Sequence, residues 1–177
     1  MKRLAIVIVL VLALLAALVV FWPRNVKAPD VTAVDLQRAT FAIDNAMVTL
    51  SGGIYATSSA PGSASQTVTR YFGNEATGDI NGDGIPDSAF IVTQSGGGSG
   101  TFYYVVILLG TRSGASVGQS FLLGDRIAPQ TTEIRNDEVI VNYADRKPGE
   151  PMSAQPSVGV SKYFKVVNGK LAEVPAP

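Results

Sequence analysis

The stretch "TFYYVVILL", residues 101–109, is apolar at both alternating sets of positions: Phe102, Tyr104, Val106 and Leu108 form one, and Tyr103, Val105, Ile107 and Leu109 the other. Successive side chains of a strand point to opposite faces, so a strand apolar on both must be covered on both. A second span of the membrane is the rival reading, but the run is far shorter than the roughly 20 residues a helix needs to cross a bilayer. It also lies between turn residues, "GGGSG" before it and Gly110 after it. This stretch therefore reads as a central strand with a layer on each side, as in a sandwich, a closed barrel, or a sheet with one helix laid on it.

The neighbouring segments repeat the theme. "TVTRYF", "SAFIVTQ", "VGQSFLLG", "TTEI" and "EVIVNYA" are short, rich in β-branched and aromatic residues and bounded by turn residues, as strands are. "MVTL" and "IYAT" flank Gly52-Gly53, and "SKYFKVV" and "KLAEV" flank Asn168-Gly169; both dipeptides predict tight hairpins. "AVDLQRATFAI", residues 33–43, is read as one short helix with Leu36, Ala39 and Phe41 facing inward. "YADRKPGEPMSAQPSVGV", rich in proline and glycine, predicts a long loop between two strands. The expected fold is thus mainly β, an antiparallel sandwich or barrel-like domain.

At the amino end, "LAIVIVLVLALLAALVVFW", residues 4–22, holds 19 apolar residues without a charge. Secretory h-regions span about 7 to 15 residues, so the length favours an uncleaved transmembrane anchor over a cleaved signal. Phe21, Trp22 and Arg24 suit the headgroup region. Residues 23–33, "PRNVKAPDVTA", read as a linker, which leaves 34–177 as an exported domain in the periplasm or at the cell surface. No cysteine occurs, so no disulfide supports that domain, and stability must come from its core or from a metal.

The whole-chain charge is zero, but residues 1–27 carry four of the basic residues and no acid, leaving 10 basic against 14 acidic residues beyond them. Nucleic acid is therefore an unsuitable ligand. With neither histidine nor cysteine in the chain, Ser-His-Asp and Cys-His nucleophiles and ordinary zinc sites are also excluded. Ser99 in "GGGSGT" reads as a hairpin tip, and the same glycine run lacks the lysine of a phosphate loop. Ser161 and Lys162, adjacent on a strand, point to opposite faces and cannot act as a catalytic pair. Asp125 and Asp145 are the remaining candidates for a carboxylate-based glycan hydrolase, although an Asp-Arg step more often forms an ion pair at a strand end.

"GDINGDGIPDSAF", residues 78–90, carries the chemistry. Asp79, Asn81 and Asp83, the Ile85 carbonyl, and Asp87 fall at positions 1, 3, 5, 7 and 9 of a loop with Gly84 at 6. Hard oxygen ligands at this spacing suit calcium. Position 12 is Phe90 in place of the glutamate of an EF-hand, which predicts the affinity of extracellular modules, about 10⁻⁴ to 10⁻³ M. The competing reading is a hairpin turn held by Asx bonds, but three carboxylates within nine residues repel one another unless a cation neutralises them. The wider segment "YFGNEATGDINGDGIPDSAFIV" resembles a single FG-GAP-type calcium-binding repeat, matching at Phe72, Gly73, Gly78, Asp79, Asn81, Gly82, Asp83, Gly84 and Asp87. The resemblance implies the loop and its calcium; a propeller needs several four-stranded blades, and the chain has one such motif. From "YFGNEATGDINGDG" to "VGVSKYFKVVNGKL" the chain also resembles small membrane-anchored proteins of reduced-genome, candidate-phylum bacteria, which implies no activity. The expectation is a calcium-stabilised binding or structural module of the cell envelope, with "GGGSG" and "RKPGEPMSAQPS" as loops for a protein or glycan ligand.

Overall fold

The computed structural model describes residues 34–58, 62 and 65–177; the expected anchor (4–22) and linker (23–33) lie outside them. Among the described residues no helix is long and apolar enough to cross a membrane. The chain is mainly β, with strands β1 (Thr40–Ile43), β2 (Ala46–Thr49), β3 (Ile54–Ser58), β4 (Gln66–Gly78), β5 (Asp87–Ser95), β6 (Phe102–Leu108), β7 (Gly110–Thr111), β8 (Gly114–Ala115), β9 (Gly118–Asp125), β10 (Ala128–Arg135), β11 (Glu138–Asp145), β12 (Val158–Val167) and β13 (Lys170–Val174). Seven of them form one sheet in the order β2-β1-β9-β6-β5-β4-β3, four form a second in the order β10-β11-β12-β13, and β7 and β8 make a small hairpin. Every pair is antiparallel except β1 with β9, which run parallel through Phe41 and Ala42.

The seven-stranded sheet curls until it is nearly a closed barrel. Its two end strands, β2 and β3, are consecutive in the chain and joined by Gly52-Gly53, whose φ angles of 60° and 80° only glycine adopts freely. The expected hairpin forms at this turn but stops after one pair, Ser51 with Ile54. Beyond that pair β2 stays with β1 and β3 with β4, the two ends of the curled sheet. At Asn168-Gly169 the expectation holds in full: φ angles of 51° and 75° fit a type I′ turn, and β12 and β13 pair from Val167 with Lys170 onward.

Two apolar clusters sit on opposite sides of β5 and β6. Inside the barrel, Phe41, Ile43, Val48 and Leu50 meet Phe90, Val92, Tyr104, Val106 and Leu108. On the outside, Ala89, Ile91, Val105, Ile107 and Leu123 pack against Val139, Val141, Tyr143 and Phe164 of the four-stranded sheet. The two-faced reading holds from Tyr104 to Leu108, with Val105, Val106 and Ile107 fully buried, whereas Phe102 at the start of the run is exposed; β5 shares the property from Asp87 to Val92. Burying each large apolar side chain contributes about 1.5–3 kcal/mol, so this pair of strands anchors both layers.

The helix expected over residues 33–43 does not form. A single 3₁₀ turn, Leu36–Arg38, capped by Asp35 through the Gln37 N–H, gives way to β1 with its alternating burial. Leu36, Ala39 and Phe41 do face the interior, but Phe41 and Ile43 do so at period 2 because β2 and β9 pair on either side of them. Tertiary pairing has overridden a weak local preference.

Candidate functional site

The five residues expected to hold calcium lie on the connection between β4 and β5. The ladder closes with Gly78 opposite Asp87, so residues 79–86 form the tip of a hairpin whose strands enter the core. Gly82 and Gly84 both have φ of 77°, a backbone that side-chain-bearing residues rarely adopt. Along the tip the side chains fold back onto the main chain. Asp79 accepts the Gly82 N–H at 2.7 Å through Oδ1 and the Gly84 N–H at 2.8 Å through Oδ2. Asn81 Oδ1 accepts the Asp83 N–H at 2.9 Å, and Asp83 Oδ1 accepts the Ile85 N–H at 2.7 Å. The Asn81 amide donates to Asp83 Oδ2 at 3.0 Å.

Asp87 stands apart from the others. It is fully buried, and its Oδ2 accepts the Ile80 N–H and its Oδ1 the Gly110 N–H, each at 2.7 Å. One carboxylate thus ties the start of the tip to the segment that follows β6. Gly110 is required there, since a Cβ would stand 2.1 Å from the Pro86 carbonyl oxygen. The sequence marks Gly110 only as the turn residue after the central strand; its spacing from the loop carries no signal of the bond to Asp87, which only the packing reveals.

The electrostatics separate these carboxylates. The Gly84 N–H above all, with those of Gly82, Asp83 and Asn81, holds the Asp79 carboxyl below its usual value despite some opposing burial. Burial pushes the Asp87 carboxyl up, against the pull of the Ile80 and Gly110 N–H groups, and the charges of Asp83 and Asp79 push it further. Among the described residues no lysine or arginine pairs with Asp79, Asp83 or Asp87; Asp44, Glu75, Asp137, Asp145 and Glu150 are likewise without one, whereas Asp35, Asp125, Glu133, Glu138 and Glu173 each have such a partner.

The donor set fits a hard cation in its exposed part. An ionised carboxylate has about four lone-pair sites, so Asp79 and Asp83 keep acceptor capacity after their main-chain bonds, as does the Asn81 carbonyl. Among the described residues no three acidic side chains converge as a preassembled metal cluster. Asp87, committed to two buried N–H groups, serves the fold of the loop base before it could serve an ion.

The acids considered for hydrolysis are engaged otherwise. Burial would raise the Asp125 carboxyl, but the Arg126 hydrogen bond, the Thr101 N–H and the charges of Arg126 and Arg146 outweigh it and leave it below its usual value. Its carboxylate meets Arg126 Nη2 at 3.1 Å and accepts the Thr101 N–H at 2.8 Å. Asp145 Oδ1 accepts the Arg146 N–H at 2.7 Å. The Arg146 guanidinium in turn donates to the carbonyls of Ala154 at 2.7 Å, Arg126 at 2.9 Å and Asp125 at 3.3 Å, which ties the long loop "RKPGEPMSAQPS" to the end of β9. Nearby, the Tyr143 hydroxyl, which donates to the Leu123 carbonyl, is pushed up to about 12 by burial and then by Asp145 and Glu173. Ser161 bonds Asn142 while Lys162 reaches Glu173 and the Leu122 carbonyl on the other face, so these neighbours do not cooperate. Ser99 lies in the connection between β5 and β6.

The chain matches no protein-family model, no curated protein and no solved structure.

Proposed function

We propose that this chain is a single-pass membrane protein whose exported β domain is a binding or structural module of the cell envelope, stabilised by calcium at residues 79–87. Anchorage rests on the uncharged apolar run of residues 4–22. In this reading Asp79, Asn81, Asp83 and the Ile85 carbonyl hold the ion, with Asp87 holding the loop base from behind. The observation that carries the calcium assignment is that three carboxylates, Asp79, Asp83 and Asp87, fall on one hairpin bent by its own Asx bonds with, among the described residues, no cationic partner for any of them. The ion offsets repulsion and stiffens the hairpin; it takes part in no reaction. The ligand is a protein or glycan.

Thermal unfolding of the full chain in detergent micelles, with calcium, with magnesium and with chelator, tests this. With a dissociation constant of about 10⁻⁴ to 10⁻³ M, 10 mM calcium is expected to stabilise the domain by roughly 1 to 3 kcal/mol. Magnesium, which demands six near-ideal ligands, is expected to do much less, and Asp83→Ala to abolish the response. An unfolding temperature indifferent to calcium would reduce the tip to a turn.

A further inference from the structure

The end of the barrel at which the chain arrives from its anchor carries a patch of an exposed valine and two unpaired cations, and we propose that this patch rests on the anionic phospholipid headgroups of the bilayer that the anchor crosses. It rests on the anchor reading and gives the exported domain an orientation and a lipid partner. The strand register fixes which segments share that end. Gly78 lies opposite Asp87, Ser88 opposite Leu108, Ile107 opposite Gln119, and Gly118 beside Phe41 of the parallel strand β1. The hairpin tip 79–86, the β7–β8 hairpin and Val34, from which residues 23–33 lead back to the apolar run, therefore lie together. At the opposite end Phe102 pairs with Gln94 and Asp125, Asp145 pairs with Val158, and Arg146 bonds the Asp125 carbonyl. "GGGSG" and "RKPGEPMSAQPS" thus face away from the point of entry.

Val117, in the connection between β8 and β9, is 57% exposed, the highest value among the large apolar side chains described. It shares one cleft, of about 520 Å³, with Val34, Leu108 and Ala115, and a second, of about 180 Å³, with Leu109, Gly169 and Lys170. Lys170 and, at the turn of the β7–β8 hairpin, Arg112 are exposed, and among the described residues neither has an ion pair. Arg38, which lines the larger cleft, is instead held by Asp35 at 3.3 Å. Asp79 and Asp83 of the tip lie at the same end, and calcium bound there would offset their repulsion from lipid phosphates.

Two features favour the bilayer over a soluble partner. Residues 23–33 reach at most about 40 Å when fully extended, which keeps this end of the barrel close to the membrane, and a tethered contact forms at a high effective concentration even when it is weak. The chemistry also matches. An apolar side chain between cations suits the headgroup layer, where the apolar group enters the interface and the cations meet phosphates. Each lysine or arginine near an anionic surface strengthens the contact roughly fivefold.

The chain has no cysteine, so Ser113→Cys beside Arg112 and Ser99→Cys at the opposite end each give a single site for an environment-sensitive dye. The full chain is placed in vesicles of phosphatidylcholine with phosphatidylglycerol, or of phosphatidylcholine alone, with brominated lipid as quencher and with calcium or chelator. In the anionic vesicles the dye at residue 113 is expected to be quenched and the dye at residue 99 to stay in water. Arg112→Gln together with Lys170→Gln is expected to lower the ratio of docked to free domain by about thirtyfold, and Val117→Asp to abolish docking. All of these positions are exposed, so the unfolding temperature should hold. A dye at residue 113 as wet as that at residue 99, in calcium and in chelator alike, would overturn the proposal. So would quenching that is equal in neutral vesicles and indifferent to the double variant, or burial of the dye that follows the protein-to-lipid ratio, the sign of a second copy on the patch. Flotation in alkaline carbonate reports the anchor separately. A chain that floats with residue 113 wet loses the docking alone, and a chain that does not float loses the anchor reading and the docking with it.

Discussion

At the end of β9, Asp125 lies 3.1 Å from Arg126, and at the end of β11, Asp145 begins a segment whose Arg146 guanidinium binds three carbonyls. Between β4 and β5, Asp79, Asp83 and Asp87 are bonded to main-chain N–H groups and, among the described residues, to no lysine or arginine. The same residue type is used to opposite ends. At the end of β9 the charge of Asp125 is compensated within the chain by Arg126 and Arg146; in the hairpin tip, among the described residues, no lysine or arginine does the same. What sets the tip apart is that its three uncompensated acids, Asp79, Asp83 and Asp87, share one hairpin.

The contrast is sharpest at Asp87, which is buried like a structural residue but uncompensated like its neighbours. Its fixed point is Gly110, so Gly110→Ala is expected to have the largest effect. The new Cβ, 2.1 Å from the Pro86 carbonyl, must displace main chain on one side and pull the Gly110 N–H from Asp87. A loss of about 3 kcal/mol or more is expected, readable by denaturant unfolding. Calcium should not restore it, because the damage lies behind the tip.

Asp87→Asn comes next. Both carboxylate oxygens accept N–H groups, and an asparagine must turn its NH₂ toward one of these donors, which costs about 1 to 3 kcal/mol. Relief of a buried charge offsets part of that, so a net loss of about 1 to 2 kcal/mol is expected. The variant also has a pH signature. Because the folded carboxyl titrates above the unfolded value of 3.8, the folded state holds its proton longer, and this group's contribution to stability falls as pH rises from 3.8 through the folded pKa. Asp79 is shifted the other way; its contribution is present above 3.8 and is lost as pH falls through its lower folded pKa. Removing Asp87 should flatten the first trend and spare the second. Calcium, by compensating the carboxylates, should flatten it too in the unmutated chain. If the slope above 3.8 survives in Asp87→Asn, another group is its source.

What the sequence shows about these regions depends on how local the cause is. The oxygen beat of residues 79–87 and the glycines that let it bend are neighbours in the chain, so the tip could be read directly and is found between two paired strands. The central place of β6 is likewise written in its two apolar faces. Gly110 is 23 residues from the carboxylate it serves, and "LLGTR" marks it as a turn residue without pointing to Asp87. The failure at residues 33–43 has the same origin: Phe41 and Ile43 became a strand because β9, some 75 residues on, lies beside them. The Gly52-Gly53 turn was predictable, but the parting of β2 from β3 depends on the curl of a seven-stranded sheet, a property no pair of segments contains.

Asp125→Asn tests the compensated side of the comparison and should have the smallest effect. The asparagine carbonyl can keep the Thr101 N–H, leaving the Arg126 pair as the main loss. Arg126 is about a third exposed in its side chain, so solvent and salt screen the pair, and roughly 0.5 to 1 kcal/mol is expected. The sign with pH is the reverse of Asp87: the folded carboxyl titrates below 3.8, its stabilisation is present above that value, and it disappears as pH falls through the folded pKa. Wild type and variant should therefore converge in acid and part above it, with the gap narrowing in high salt and unchanged by calcium. A calcium-dependent gap would mean that the strand-end acids and the hairpin tip share a cation, and the division between compensated and uncompensated carboxylates would fail. Turnover of a cell-wall glycan lost in Asp125→Asn would break the comparison from the other direction, by assigning a reaction to the carboxylate that Arg126 holds ionised.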